Sequence, residues 1–425
     1  MLCLNEESSS SLSCSCPLSP LRSRKYVLCL DVVQIICDFC DLKTQIKLIS
    51  TCQEYNEYLK IRKLNCSDGI GSKITQKVIM QRKFDKLRKL NACDNKKLTD
   101  VNHLLNTLIE LDCSWRCGIN QKGIANLKVL QKINACDNNK ITDVNHLRNT
   151  LTELDCACNC GIDQKGISNL KVLQKLYVNN NDKITDVNHL QNTLIELNCL
   201  GACEIDQKGI SNLKILQKLN ANYNEKITDV NHLRNTLIEL NCYRNCGIDQ
   251  KGISNLTKLQ KLHAQCNNKI TDVNHLRNTL TELSCWNDSG IDQKGISDLK
   301  VLQRLSADNN EKITDVNHLQ NTLIELNCPG DCGIDQKGIS ELKVLQKLDA
   351  NNNSRITDVN HLQNSLIELY CCYDCGIDQK GISELKVLHR FYIHASNNDK
   401  ITDVNHLQNK ELPEMKHIIM VCEAN

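Results

Sequence analysis

Residues 237–276 decide the fold. They begin Leu237-Ile238-Glu239-Leu240-Asn241-Cys242-Tyr243-Arg244-Asn245-Cys246-Gly247-Ile248-Asp249 and resume at Leu259-Gln260-Lys261-Leu262-His263-Ala264-Gln265-Cys266-Asn267-Asn268-Lys269-Ile270-Thr271-Asp272-Val273-Asn274-His275-Leu276. Both halves obey L-x-x-L-x-(C/A)-x-x-N-x-x-I, with starts 22 residues apart. The first six residues of each alternate apolar and polar, which predicts a short strand. Asp249, and Thr271 or Asp272, are good helix starters, so each strand should be followed by a short helical return. A unit this short cannot bury its own apolar face and must stack on copies of itself.

The copies run through most of the chain. The string Ile-Thr-Asp-Val-Asn-His-Leu begins at Ile141, Ile184, Ile227, Ile270, Ile313, Ile356 and Ile401, with a variant at Leu98; the steps are 43 residues six times, then 45. Fifteen half-units start between Leu87 and Leu388, and a degenerate sixteenth starts at Ile61 with Leu64 and Cys66. Strands about 4.8 Å apart would then form a curved parallel sheet on the order of 70 Å along its arc.

Composition narrows the function. The 425 residues carry 52 Lys and Arg against 50 Asp and Glu, a net charge of +2, so the field of a general nucleic-acid binder is missing. Aromatics are 3% and prolines number four, too few for a conventional core of this length. No run of about 18 apolar residues occurs, so no membrane association is expected. The start, Met-Leu-Cys-Leu-Asn-Glu-Glu followed by serines, lacks the basic and apolar segments of a secretory signal. The chain is therefore expected to be cytoplasmic, with its 27 cysteines reduced.

The repeated chemistry has plain explanations. Cys113, Cys156, Cys199, Cys242, Cys285, Cys328 and Cys371 take an inward strand position, and six of these coils carry a second cysteine four residues on. Cysteine there is a small core residue. Equivalent cysteines lie two strands apart, about 10 Å, too far to share a zinc ion bound at about 2.3 Å. Eight histidines sit in the copied string, again two strands apart and without a convergent carboxylate, so they read as packing or surface residues. Gly247 and Gly252 recur as turn and close-packing positions. No phosphate loop, nucleophile elbow or zinc-hydrolase motif is present. The expectation is no enzyme, no cofactor and no metal.

Two outward columns remain. Glu110, Glu153, Glu196, Glu239, Glu282, Glu325 and Glu368 alternate along the stack with Lys89, Lys132, Lys175, Lys218, Lys261, Arg304, Lys347 and Arg390. These read as a register-fixing ladder of weak ion pairs. Beside it the copies diverge: the pairs after the inward cysteine include Ser114-Trp115, Tyr243-Arg244, Trp286-Asn287 and Cys372-Tyr373. With Tyr177, Tyr370 and Tyr392 on outward strand positions, the residues Trp115, Tyr243, Arg244, Trp286 and Tyr373 are the expected target-binding surface, because large aromatics anchor interfaces.

The repeat over residues 61–409 resembles the leucine-rich repeat of the cysteine-containing type common in F-box proteins. That resemblance implies an α/β solenoid, a horseshoe with a parallel concave β-sheet. Residues 1–24 form a Ser-rich leader expected to be disordered, and 410–425 an expected C-terminal cap. Residues 25–60 differ from the repeats and show apolar spacing of amphipathic helices. Leu28, Asp31, Val32 and Ile36 match the F-box opening L-P-x-E-(V/I/L)-x-x-x-I, and Cys52 and Tyr55 fall at its V-C-K-x-W-like ending, with Ile46 and Leu48 between. Cys29 stands where the family has proline, and Gln53 where it has a basic residue. The resemblance implies docking to a Skp1-like adaptor through these eight residues, and recruitment of a target protein by a monomeric substrate adaptor of an SCF-type ubiquitin ligase. The competing reading is an interaction scaffold with a helical N-terminal cap. The near-identical, Asn-, Lys- and Ile-rich copies also resemble repeat proteins of amoeba-infecting giant viruses (mimivirus-like), which implies a host cytoplasm.

Overall fold

The computed structural model describes residues 29–67, 71–393, 398, 400–407 and 417–420. Leu28, the serine-rich leader and most of the segment after Leu407 lie outside the described residues. The chain divides into two units, residues 1–59 and 60–425.

The first unit holds three helices: α1 (Leu30–Phe39), α2 (Leu42–Ile49) and α3 (Gln53–Tyr58). Asp41 starts α2 by accepting the Thr44 N–H at 2.7 Å. That bond holds the exposed Asp41 carboxyl below its ordinary range. Cys52 starts α3, its Sγ accepting the Tyr55 N–H at 3.4 Å. The Tyr58 hydroxyl donates to the Asp31 carboxylate and ties α3 to α1. Val33 and Cys37 bury one side of α1.

The second unit is a stack of three- and four-residue parallel strands. Among the described residues there are seventeen, in one open sheet. Each pairs with the next in sequence; Lys261 faces Glu239 on one side and Glu282 on the other. The degenerate sixteenth repeat forms a strand, Lys63–Asn65, as its pattern predicts. The C-terminal segment adds a strand, His417–Met420, paired with Arg390–Ile393, where the sequence had lost its period. Sheet pairing there is carried by the backbone and so leaves little trace in side-chain pattern.

Half-units alternate, and can be named for their ladder residue. In a Glu repeat the strand leads to one α-turn, Gln250–Ile253, whose start is capped by Asp249 accepting the Gly252 N–H at 2.9 Å. In a Lys repeat it leads to a 3-10 turn, Asn274–Leu276. Asp272 caps this turn by accepting the Asn274 N–H at 2.7 Å. The core lies behind the sheet: Leu237, Leu240, Cys242, Cys246 and Ile248 are all buried. Each fully buried leucine or isoleucine contributes about 1.5–3 kcal/mol, an upper bound on transfer grounds.

The copied string is a set of connectors. Gln250 Oε1 accepts the Thr271 and Asp272 N–H groups, both at 2.9 Å. Asn274 Nδ2 donates to the Lys294 carbonyl at 2.7 Å, while its Oδ1 accepts the Asp298 N–H at 2.8 Å. His275 donates from Nε2 to the Ile253 carbonyl at 3.1 Å. Burial pushes its imidazole below the usual range, so the ring stays neutral and keeps that tautomer. Buried Asn267 donates to the Cys242 and Ile248 carbonyls at 3.0 and 3.1 Å. Such bonds contribute about 1 kcal/mol each and leave expensive orphans when removed. Near-identity of the copies thus follows from stacking, and the histidine row is structural.

Candidate functional site

Positions exempt from stacking are the ones free to carry specificity. The ladder is not exempt. Lys132 lies 3.0 Å from Glu153 and Lys218 3.4 Å from Glu239, each base pairing with the following strand. Beyond Glu282 the direction reverses, with Lys347 3.0 Å from Glu325 and Arg390 3.6 Å from Glu368. Glu282 is the node, touching Lys261 at 3.3 Å and Arg304 at 2.5 Å. Burial pushes its carboxyl up, but the bonds from Arg304 and Lys261 outweigh this and hold it below the usual range.

Beside that node the aromatics converge. Tyr243 meets Trp286 at 5.7 Å between ring centres and Tyr223 at 5.4 Å, the latter edge-on at 88°. The Arg244 guanidinium lies 5.2 Å from the Tyr243 ring and 5.8 Å from Tyr223. Tyr243 and Trp286, with Asn222, Asn241, His263 and Gln265, line an open cavity of about 310 Å³. Asn241 Oδ1 and Gln265 Oε1 are buried there with no hydrogen-bond partner among the described residues. Unmet acceptors beside aromatic walls suit a ligand that brings N–H or O–H donors.

The backbone conformation is costly in the same place. The second residue after each inward position turns left-handed, and most coils put Asp, Asn or Gly there, such as Asp137 at φ 56° and Gly330 at φ 66°. Tyr223 and Arg244 adopt φ of 58° and 52° in adjacent coils. A side chain with an ordinary Cβ pays roughly 1–2 kcal/mol for this conformation. Cys266, at φ 52°, continues the run into the next coil, and Trp115, Cys158 and Tyr373 adopt the same conformation singly elsewhere.

The expected target-binding residues fall into separate groups along the sheet. Tyr243, Arg244 and Trp286 come together. Tyr370 and Tyr392 stack in parallel at 4.2 Å in a second group near the C-terminal end, with Lys347 over Tyr370. Tyr177 is separate, its hydroxyl donating to Glu196 at 3.0 Å beside a cavity of about 430 Å³. Trp115 and Tyr373 are exposed at left-handed turn positions, φ 60° and 61°, on the rim where the chain leaves the strand. Six strands separate Trp115 from Tyr243, roughly 29 Å. Tyr223, Asn222 and Gln265 were missed. They occupy in Lys repeats the slots that were compared only between Glu repeats.

In the helical unit, Val32 and Ile36 face solvent, 41% and 45% exposed, as do Ile35 and Phe39 at 55% and 88%. The four lie on one side of α1. Ile35 and Phe39 belong to the candidate surface, and their spacing of three and seven residues from Val32 is visible in the sequence. Asp31 is exposed and engaged by Tyr58; Ile46, Leu48 and Tyr55 are half-buried; Cys52 is exposed.

Comparisons with known proteins find structural neighbours alone. No family model and no curated protein matches the sequence. Solved structures do match. An internalin, inlF, from Listeria monocytogenes is 22% identical over 73% of this chain and 88% of its own, with a TM-score of 0.45. A functional domain of InlJ from the same organism, which includes a cysteine ladder, is 20% identical over 72% and 73%, with a TM-score of 0.40. Rad7 in its yeast complex with Elc1 is 14% identical over 88% and 90%, with a TM-score of 0.44. The chain's own stacked strand-and-turn coils, rather than these likenesses, make the second unit a leucine-rich-repeat solenoid. Among its described residues no group of three or more metal-ligating side chains could hold an ion, and no helix is long and apolar enough to cross a membrane.

Proposed function

We propose that this chain is a protein-recognition adaptor: α1 docks a Skp1-like protein, and the concave niche at Tyr243 and Trp286 holds the target for an SCF-type ubiquitin ligase. The observation that carries this reading is the stripe on α1. Four of the ten exposed large hydrophobic side chains among the described residues sit on this one ten-residue helix. A contiguous apolar face of that kind marks a docking surface. The residues that match the F-box opening, Val32 and Ile36, are on it. Cytoplasmic residence follows from that role.

The first test is capture of purified Skp1 by the full chain. Wild type is expected to bind, and Ile36→Asp to lose at least 100-fold in affinity, because the charge enters an apolar interface unpaired. Circular dichroism should show the solenoid unchanged. Failure of the wild type to capture Skp1 would end the ligase reading.

The second test needs a target captured by proximity labelling. Trp286→Ala and Tyr243→Ala should each weaken it about thirty-fold or more, the usual effect of removing an aromatic anchor. Lys261→Gln and Glu239→Gln should cost under about 1 kcal/mol, since their partners are half-exposed ladder charges. Larger losses from the charge variants would move the recognition surface to the ladder.

A further inference from the structure

Neutral carboxamides line the niche beside Tyr243 and Trp286, and two of them are idle. Asn222, Asn241 and Gln265 all face its cavity of about 310 Å³. Among the described residues, Asn241 Oδ1 and Gln265 Oε1 are enclosed without a donor.

The other coils supply the comparison. At the strand position of Asn241, the side chains of Asn91, Asn134 and Asn220 turn back on their own loops. Their Oδ1 atoms accept the N–H groups of Cys93, Cys136 and Asn222 at 2.9, 3.0 and 3.1 Å. At Asn241 that bond is replaced, because the Tyr243 N–H donates to Asn222 Oδ1 of the preceding coil at 2.8 Å. Asn179 and Asn351 likewise accept from Leu200 and Cys372, at 3.3 and 2.7 Å. Gln265 stands where Asn179, Asn222 and Asn351 stand, one methylene longer, and its oxygen takes no such N–H. The exchange also frees Asn198 Oδ1, but there the place of Gln265 is held by Asn222, whose oxygen is occupied. Only in this niche, among the described residues, do two idle acceptors meet beside aromatic rings. Stacking gains nothing from either, and an enclosed acceptor without a donor weakens the fold.

We infer that the niche recognises a neutral primary carboxamide, an Asn or Gln side chain of the target, and that Asn241 and Gln265 select it. This rests on the reading that Tyr243 and Trp286 hold the target. A primary amide carries two N–H donors on one nitrogen, enough for both idle oxygens, where a hydroxyl brings one. The last side-chain torsion of Asn and Gln is soft, so each oxygen can rotate into the cavity. A carboxylate would meet acceptors in place of donors. An ammonium or guanidinium would find no carboxylate in the lining, and the Arg244 guanidinium stands 5.2 Å from the Tyr243 ring. Glu282 nearby is already engaged by Lys261 and Arg304. Burial pushes the His263 imidazole below its usual range and leaves it neutral. An apolar side chain would seal both oxygens in without a donor.

The test is a saturation-transfer NMR titration of the full chain with the N-acetyl, N-methylamide derivatives of Gln, Glu, Lys and Met. The Gln derivative should bind saturably, and the other three at least ten-fold more weakly. Backbone amides are common to all four, so equal affinities would assign recognition to them and overturn the proposal, as would no binding of the Gln derivative. The variant Asn241→Leu/Gln265→Met should lose the Gln derivative at least ten-fold and keep its urea midpoint, since no unmet acceptor is left behind. Asn267→Leu should lower the midpoint, because it breaks the bonds to the Cys242 and Ile248 carbonyls. An equal fall in the double variant would make its two amides structural and overturn the proposal. The captured target separates the two readings. If Trp286→Ala weakens the target and Asn241→Leu/Gln265→Met does not, the niche still holds the target and the carboxamide assignment ends. If Trp286→Ala leaves the target bound, the placement of the target falls, whatever the Gln derivative does.

Discussion

Raising the pH from 8 to 10 in the presence of reductant should unfold the solenoid at much lower urea. The thiols of Cys117, Cys160 and Cys246 are pushed up to about 11 by burial, and that of Cys66 to about 12. Burial drives the fully enclosed Cys113, Cys156 and Cys242 further in the same direction. The ordinary thiol value is 9.0. Below it, folded and unfolded chains both keep their protons, and these groups add no pH dependence. Above it the unfolded chain releases protons that the folded chain retains, so stability falls by up to about 1.4 kcal/mol per pH unit per thiol until the folded value is reached. At pH 10 the loss is about 1.4 kcal/mol for each of the three enclosed thiols, together about 4 kcal/mol against a typical total of 5–15. The Lys132 amine, raised from 10.5 by its hydrogen bond to Glu153, acts in the same direction but mainly above this pH window. Alanine fills the equivalent position in alternate coils, at Ala92, Ala135 and Ala264. The variant Cys113→Ala/Cys156→Ala/Cys242→Ala should therefore fold, and its urea midpoint should fall less between pH 8 and 10. An unchanged pH dependence in that variant would locate the alkaline sensitivity elsewhere.

Periodicity made the solenoid legible because stacking imposes the same demand on every coil. Leu237, Leu240, Cys242 and Ile248 repeat for a reason that each coil must meet, and reading one coil reads them all. The same logic explains why Tyr223 was passed over. A binding niche is assembled across neighbouring coils, and Tyr223 comes from the Lys repeat while Tyr243 comes from the Glu repeat. Comparing like with like every 43 residues cannot place them 5.4 Å apart. On α1 the F-box pattern picked out Val32 and Ile36 but not Phe39, which the pattern does not include and exposure does.

Gly252→Val should cost several kcal/mol and the target site with it. A Cβ at Gly252 would lie 2.1 Å from the Thr228 carbonyl oxygen, backbone that cannot yield without moving the preceding coil. The Gly252 carbonyl also accepts the Val230 N–H at 3.0 Å, so the two coils are held at the distance the new side chain forbids. Overpacking a tight contact typically costs about 1–3 kcal/mol, and a clash with fixed backbone stands at or above the upper end. Gly123 has the same relation to the Thr99 carbonyl oxygen, at 2.2 Å, so Gly123→Val should destabilise its own coils comparably. Solenoid energetics are nearest-neighbour, and damage at one coil stays close to it. Gly252 belongs to the coil that carries Tyr243 and abuts the one that carries Tyr223, whereas Gly123 is six strands away. Both variants should therefore lower the urea midpoint. Gly252→Val alone should lose target affinity in the remaining folded fraction, about as much as Tyr243→Ala does. If Gly123→Val weakened the target as strongly, recognition would extend over the whole concave face and the niche between Tyr243 and Trp286 would not be its centre.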